Sequence, residues 1–289
     1  MKKALFIIPL APLLLAGCGG GSGGPAGPSS AAFNDFSSMK AGRTTITGIG
    51  REVSYSGEGS NVSVSEFSSA KDVTFNVDLD SKNEMTRVAL DTGTTKKVWN
   101  SDNANMDEAG GLIFAESKNG QDLIAIAGPE ASNFEYQTFG AWLTGYNTGN
   151  GSAGAFSVGS ETKSANIPAS GSARFSGTAG GLYMESGDIS PSVALAEATL
   201  DADFANRSVS FQTNGTRVGG QGYRPGLDMD GSMSYDAGSN AMKGTVKTVN
   251  GMSGTLDGRF YGPSAQEVGG VFATQGNGAT FGGGFGAKR

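Results

Sequence analysis

Histidine is absent from this 289-residue chain, and cysteine occurs only once. Without imidazole there is no Ser-His-Asp or Cys-His catalytic arrangement and no His-containing zinc site. Haem ligation is left to tyrosine or methionine. A single thiol rules out an internal disulfide. Basic charge is also in short supply: 21 Lys and Arg against 27 Asp and Glu give a net charge of −6, a balance unsuited to nucleic acid. Long apolar runs are missing too. The run Ala4–Leu15 falls well short of the ~20 residues that span a bilayer, and Pro9 and Pro12 interrupt it. Carboxylate pairs remain available for glycosidase-type chemistry, so the default expectation is that the protein is not an enzyme and has no cofactor.

At the amino terminus, Lys2 and Lys3 precede that short run, which ends in Leu15-Ala16-Gly17-Cys18. A basic segment, an apolar segment and small residues at the cut predict a secretory signal peptide over residues 1–17. The box resembles the bacterial lipobox. That resemblance implies cleavage between Gly17 and Cys18, a diacylglycerol on the Cys18 thiol and acylation of the new amino group. An ordinary signal peptide with an incidental cysteine is the alternative. Each buried methylene contributes about 0.8 kcal/mol, so several acyl chains would hold the product on a membrane. Gly19, where inner-membrane retention would place aspartate, favours the outer membrane. Residues 18–40 are read as the lipidated cysteine and a tether whose Gly/Ser/Pro-rich part is Gly19–Ser30. A coil of ~12 such residues reaches on the order of 20 Å.

Beyond the tether the period is two. Val73, Phe75, Val77 and Leu79 alternate with polar residues, which predicts a half-buried strand. Leu112–Ile126 reads as a hairpin with a type I′ turn at Asn119-Gly120, placing Ile113 opposite Ile126 and Ala115 opposite Ile124. Asp78–Asn83 reads as a hairpin end. Ala198, Leu200, Ala202 and Phe204 share one face; so do Leu227, Met229, Gly231, Met233 and Tyr235. Met252, Gly254, Leu256, Gly258 and Phe260 form a third such face, with Ser253, Thr255, Asp257, Arg259 and Tyr261 on its back. Large residues mixed with glycine or alanine suit the filled interior of a small closed barrel. Asn150-Gly151, Asn214-Gly215, Asn250-Gly251 and Asn277-Gly278 read as turns, and Pro191–Ala198 as strand rather than helix. Sixteen phenylalanines argue against disorder despite 48 glycines. The expected fold class is all-β.

Phe260-Tyr261-Gly262-Pro263-Ser264-Ala265-Gln266-Glu267-Val268-Gly269-Gly270-Val271-Phe272 resembles the Phe-Tyr-Gly-Pro-x-Ala-x-Glu-x-Gly-Gly-x-Phe signature of transferrin-binding protein B and related surface lipoproteins. The ending Phe285–Arg289 is similar to the close of their barrels, Tyr136–Trp142 to an opening strand and Ile167–Ala173 to an inner one. The resemblance implies an antiparallel eight-stranded barrel over residues 131–289, preceded at 41–130 by a small β-rich handle-like region. Read physically, Gly262-Pro263 ends ladder pairing. Ser264 and Glu267 have the spacing of a capping box, and Gly269-Gly270 would let the chain turn into the next strand.

The resemblance also implies a lipid-anchored, surface-exposed outer-membrane lipoprotein. It would bind a host or secreted protein or a metal-carrying ligand, pass it to an outer-membrane transporter in iron acquisition, and reach the surface by a dedicated translocon. One handle–barrel lobe is expected here where the resembled receptor has two, and because that receptor's transferrin contacts belong largely to its N-terminal lobe, the resemblance does not extend to transferrin as the ligand. Two alternatives stand beside this reading: haem or siderophore binding inside or beside the barrel, and an adhesive or structural envelope lipoprotein. Candidate ligand contacts are Tyr146 in the segment Tyr146–Asn150, and Tyr223 and Arg224 in Gln221–Pro225, because aromatic and polar loop residues on a rigid scaffold suit recognition. Ordinary barrel loops are the plainer reading. Trp99 and Trp142 are read as packing, and Asp228 with Asp230 as a solvated strand face rather than a calcium site.

Overall fold

The computed structural model describes residues 31–57, 63–146, 148–188 and 191–289. The expected signal peptide, Cys18 and Gly19–Ser30 therefore lie outside the described residues. Alternating sequence gives strands throughout, in two sheets that follow one another along the chain. The first comprises β1 (Ala31–Ala32), β2 (Gly42–Ser56), β3 (Ser63–Val64), β4 (Lys71–Leu79), β5 (Met85–Asp91), β6 (Lys96–Asn100), β7 (Ala104–Ala109), β8 (Leu112–Ser117), β9 (Leu123–Ala127), β10 (Gln137–Thr144) and β11 (Asn150–Gly159). Its path is β6-β5-β4-β2-β11-β10-β9-β8-β7, with β1 and β3 flanking β2. The sheet curls around Ile46, Phe75, Leu90, Trp99, Ile124, Ile126, Trp142 and Phe156 until its end strands β6 and β7 lie close together.

The second sheet comprises β12 (Ser172–Glu185), β13 (Ser192–Asp203), β14 (Ser208–Val218), β15 (Gly222–Tyr223), β16 (Met229–Ser234), β17 (Met242–Thr248), β18 (Ser253–Tyr261), β19 (Glu267–Gly276) and β20 (Ala279–Lys288). The pairing of β13 with β14 closes eight of these strands into an antiparallel barrel, with β15 outside the ring. The three faces read as apolar in the sequence all point inward. They meet Phe175, Phe211, Phe272, Phe281 and Phe285 in one buried apolar core. Aromatic rings pack at tilted or edge-on angles, as between Phe272 and Phe281 with centroids 4.9 Å apart.

The all-β class and the eight-stranded barrel agree with expectation, but the expected boundary at residue 131 does not. β10 and β11 hydrogen-bond to β9 and β2, so they complete the first sheet, and the barrel begins at β12. The segment expected to open the barrel, Tyr136–Trp142, thus runs into β10. Residues 41–130 are accordingly the larger part of the curled, nearly closed sheet that precedes the barrel. Alternation is the same whichever neighbour a strand pairs with, so it does not report sheet membership.

The β8/β9 register is as expected, with Ile113 opposite Ile126 and Ala115 opposite Ile124. Its turn is different. Only Gly120 of the Asn119-Gly120 pair has positive φ, and Ser117 Oγ accepts from the Gln121 and Asp122 amides to close a longer loop. The type I′ geometry occurs instead at Asn277-Gly278, with φ of 54° and 73° between β19 and β20. Asn250-Gly251 also turns the chain, whereas Asn150-Gly151 begins β11 and Asn214-Gly215 lies within β14. There, positive φ at Gly215 accompanies a register shift opposite β13, a β-bulge.

Arg43 donates from Nε and Nη2 to the two oxygens of Asp78 at 2.8 and 2.7 Å across β2 and β4. Those hydrogen bonds hold the Asp78 carboxyl below its ordinary pKa. A depressed folded-state value stabilises above the usual carboxylate range, and that contribution is lost as pH falls through it. Asp78→Asn should therefore cost about 0.5–1 kcal/mol near neutral pH, little because both groups are part-exposed. In urea unfolding followed against pH, the difference should vanish in strong acid.

Candidate functional site

The two sheets meet back to back. All eight residues of β10 are buried, as are β19 from Glu267 to Thr274 and β20 from Phe281 to Ala287. One face of each strand serves its own core and the other meets the opposite sheet. On the outer face of β20 stand Gly282, Gly284 and Gly286. A Cβ at Gly284 would lie 2.9 Å from the Phe156 carbonyl oxygen; one at Gly286 would lie 2.1 Å from Gln137 Nε2. The first sheet rests on backbone, in space that a side chain would take.

Polar groups fasten this contact. Arg51 from β2 pairs with Asp257 from β18, and both side chains are only 9% exposed. Asp257 and Tyr261, on the face of their strand opposite Leu256 and Phe260, are covered by the first sheet. The Tyr261 hydroxyl lies 3.0 Å from Ser157 Oγ, and burial pushes its pKa up. Glu267 does not cap a helical turn with Ser264, as its spacing had predicted. Its carboxylate accepts from the Glu135 and Tyr136 amides at 2.6 and 3.0 Å, tying the chain just before β10 to the start of β19. Burial raises its pKa, and those amides pull it the other way. Nor do Gly269-Gly270 turn the chain. They lie inside β19, where a Cβ on Gly269 would lie 2.7 Å from Gln137 Oε1 and 2.8 Å from Ser157 Oγ.

Along one side of the junction the two sheets part, leaving a cavity of about 330 Å³. Val53 and Tyr55 of β2, Leu143 of β10 and Ala153 of β11 form one wall; Leu182 and Met184 of β12 with Thr280 and Gly282 of β20 form the other. Phe67 closes the floor, its ring against the backbone of Gly282. Tyr146 and Thr148 stand at the first-sheet side. The Tyr55 hydroxyl donates to the Thr144 carbonyl, and burial, with Asp122 and Tyr146 nearby, pushes its pKa up to about 12. Thr148 Oγ1 has the Gly145 and Asn150 carbonyls within reach of its single hydroxyl hydrogen, at 2.7 and 2.8 Å. Every lining residue is uncharged among the described residues.

Of the candidates named from sequence, Tyr146 lines this cleft; Asn147, in the same segment, lies outside the described residues. Tyr223 and Arg224 are elsewhere, at one mouth of the barrel. Tyr223 is 55% exposed. Arg224 pairs with Glu185 and Gln221 and lies 5.9 Å above the Tyr183 ring. Hydrogen bonds from the Tyr183 hydroxyl and from Arg224 keep the Glu185 carboxyl below its ordinary pKa, while burial lifts Tyr183 to about 12. The structure therefore does not assemble the three into one site. Trp99 and Trp142 are core residues, and Asp228 is held by Thr216. Sequence reading missed Tyr55, Phe67 and Leu182. No local signal marks them, because each is an ordinary strand or loop residue until the second sheet comes to face it.

Residues 167–289 match the family model described as C-lobe and N-lobe beta barrels of Tf-binding protein B. That span leads into and contains the second barrel, and the resemblance carried by Phe260–Phe272 is borne out there. No curated protein matches the chain. Among solved structures, a Haemophilus parasuis transferrin-binding protein B double mutant is 19% identical over 84% of this chain and 44% of its own, with a TM-score of 0.47. The isotype 1 protein from serogroup B Neisseria meningitidis is 18% identical over 83% of this chain and 43% of its own, TM-score 0.44. The N-lobe of lactoferrin-binding protein B from Moraxella bovis is 13% identical over 84% and 98%, TM-score 0.40. The chain thus spans less than half the length of the first two.

Removing one member of a buried ion pair strands the other. Arg51→Met should cost about 3–5 kcal/mol in chemical denaturation, and adding Asp257→Leu should recover much of that loss. Equal costs for the single and double variants would show that the pair does not fasten the junction.

Proposed function

We propose that this chain is a surface-displayed, lipid-anchored outer-membrane lipoprotein that captures a protein ligand, a metal-carrying host or secreted protein, and presents it to an outer-membrane transporter. The observation that carries the reading is the match of residues 167–289 to the transferrin-binding protein B barrels. Its signature residues Tyr261 and Glu267 fasten the barrel to a second sheet. Two sheets joined over buried strands offer a scaffold for end loops, the arrangement that favours recognition at loops. The lipobox-like Leu15–Cys18 and the glycine-rich stretch after it supply an anchor and reach. In this reading Cys18 carries the lipid, Tyr223 and Arg224 at the barrel mouth and Tyr146 at the cleft offer contacts, and a surface-export translocon delivers the protein. The barrel interior is lined by buried apolar side chains, Phe175, Phe211, Phe272 and Phe285 among them, and loop-mediated protein capture is the reading they support as a scaffold.

Residues 31–289, which hold every described strand of both sheets, should retrieve a metal-carrying protein from host serum or a transporter from outer-membrane extract. Repeated empty retrievals would remove the capture role. Protease shaving of intact cells should degrade the wild type, and Cys18→Ser should release the protein from the membrane fraction. Full protection from protease would contradict surface display.

A further inference from the structure

The cleft between the sheets has a composition that protein capture at the loops does not require. Barrel cores are packed to the density of organic crystals, with few voids larger than a water molecule. Each sheet encloses its own cluster of buried apolar side chains, and a cavity of about 330 Å³ lies where the two part. That volume is at the lower end of the range of small-molecule pockets, about 300–1,000 Å³. It is neither sealed nor flat, so entry does not require the junction to open.

The lining specifies the chemistry. Val53, Leu143, Ala153, Leu182 and Met184 provide aliphatic walls, and Phe67 an aromatic floor. No charged side chain among the described residues faces the cleft, so an ion held there would be unpaired and desolvated, which is costly. The polar groups of Tyr55 and Thr148 already donate to protein carbonyls and make poor partners for a strongly polar guest or for a cluster of water. Tyr146 and Thr280 also line the cleft, and their hydroxyls are the hydrogen-bonding groups it can offer a guest.

We infer that the inter-sheet cleft is a binding site for an uncharged, mainly apolar small molecule carrying one or two hydrogen-bonding groups, held jointly by the first sheet and by strands β12 and β20 of the barrel. This site goes beyond the capture role and does not depend on it. Because both sheets supply walls, occupancy couples to the junction: a ligand that binds only the assembled form raises its stability by mass action.

The test uses N-phenyl-1-naphthylamine, a neutral apolar fluorophore, with purified residues 31–289. The wild type should bind it saturably, at one site per chain, with a rise in melting temperature. Ala153→Phe and Leu182→Trp, which fill the cleft from opposite walls, should each weaken binding at least tenfold and abolish that rise. Val249→Ser, at a residue 77% exposed and outside the cleft, should leave binding unchanged. If one filling variant fails to fold, the other decides. Non-saturable binding by the wild type, or equal binding by a folded filled variant, overturns the site. A chain that binds the fluorophore but retrieves no protein keeps the cleft and loses the capture role; the converse result keeps only capture.

Discussion

The outer face of β20 carries glycine at 282, 284 and 286, and everything else in this molecule rests on that bare backbone. Glycine weakens an isolated strand, since it has nothing to pack and the most conformational entropy to lose. Here the weakness is offset because the opposing sheet occupies the vacant space. Phe67 lies over Gly282, Phe156 and Phe139 meet Gly284, and the Gln137 side chain meets Gly286. A side chain at these positions would push the sheets apart, and the polar fasteners would lose their reach.

Those fasteners explain why the junction has one register rather than many. Apolar and glycine contacts are non-directional, and two smooth sheets can slide. The Arg51–Asp257 pair, the hydroxyl contact between Tyr261 and Ser157, and the Glu267 carboxylate on two backbone amides each have a direction. Buried ion pairs add little net stability against an apolar replacement, but breaking one costs much. Their contribution here is to the choice of arrangement. Glu267 is the clearest case, because a single carboxylate links the start of β19 to the chain entering β10.

The cleft follows from the same geometry. Two curved sheets touch along a limited patch and diverge beside it, and the divergence lies where Leu143 and Leu182 face each other and Phe67 closes the bottom. The barrel mouth, by contrast, is polar: Arg224, Glu185 and Tyr183 form a small charge-assisted network there. The molecule thus offers an apolar recess between its halves and a polar rim at one end.

The sequence by itself determined the strands, the inward faces of the barrel, the β8/β9 register and the tight turn at Asn277-Gly278, because side-chain alternation and turn chemistry are local properties. The family-like stretch Phe260–Phe272 was also legible. Only the tertiary structure decided that β10 and β11 belong to the first sheet, that Asp257 and Tyr261 are buried, that Glu267 receives amides instead of capping a turn, and that Tyr55, Phe67 and Leu182 share a cavity. The physical reason is that a strand's pattern records which of its faces is apolar. It carries no record of which strand lies beside it, or of what covers the other face.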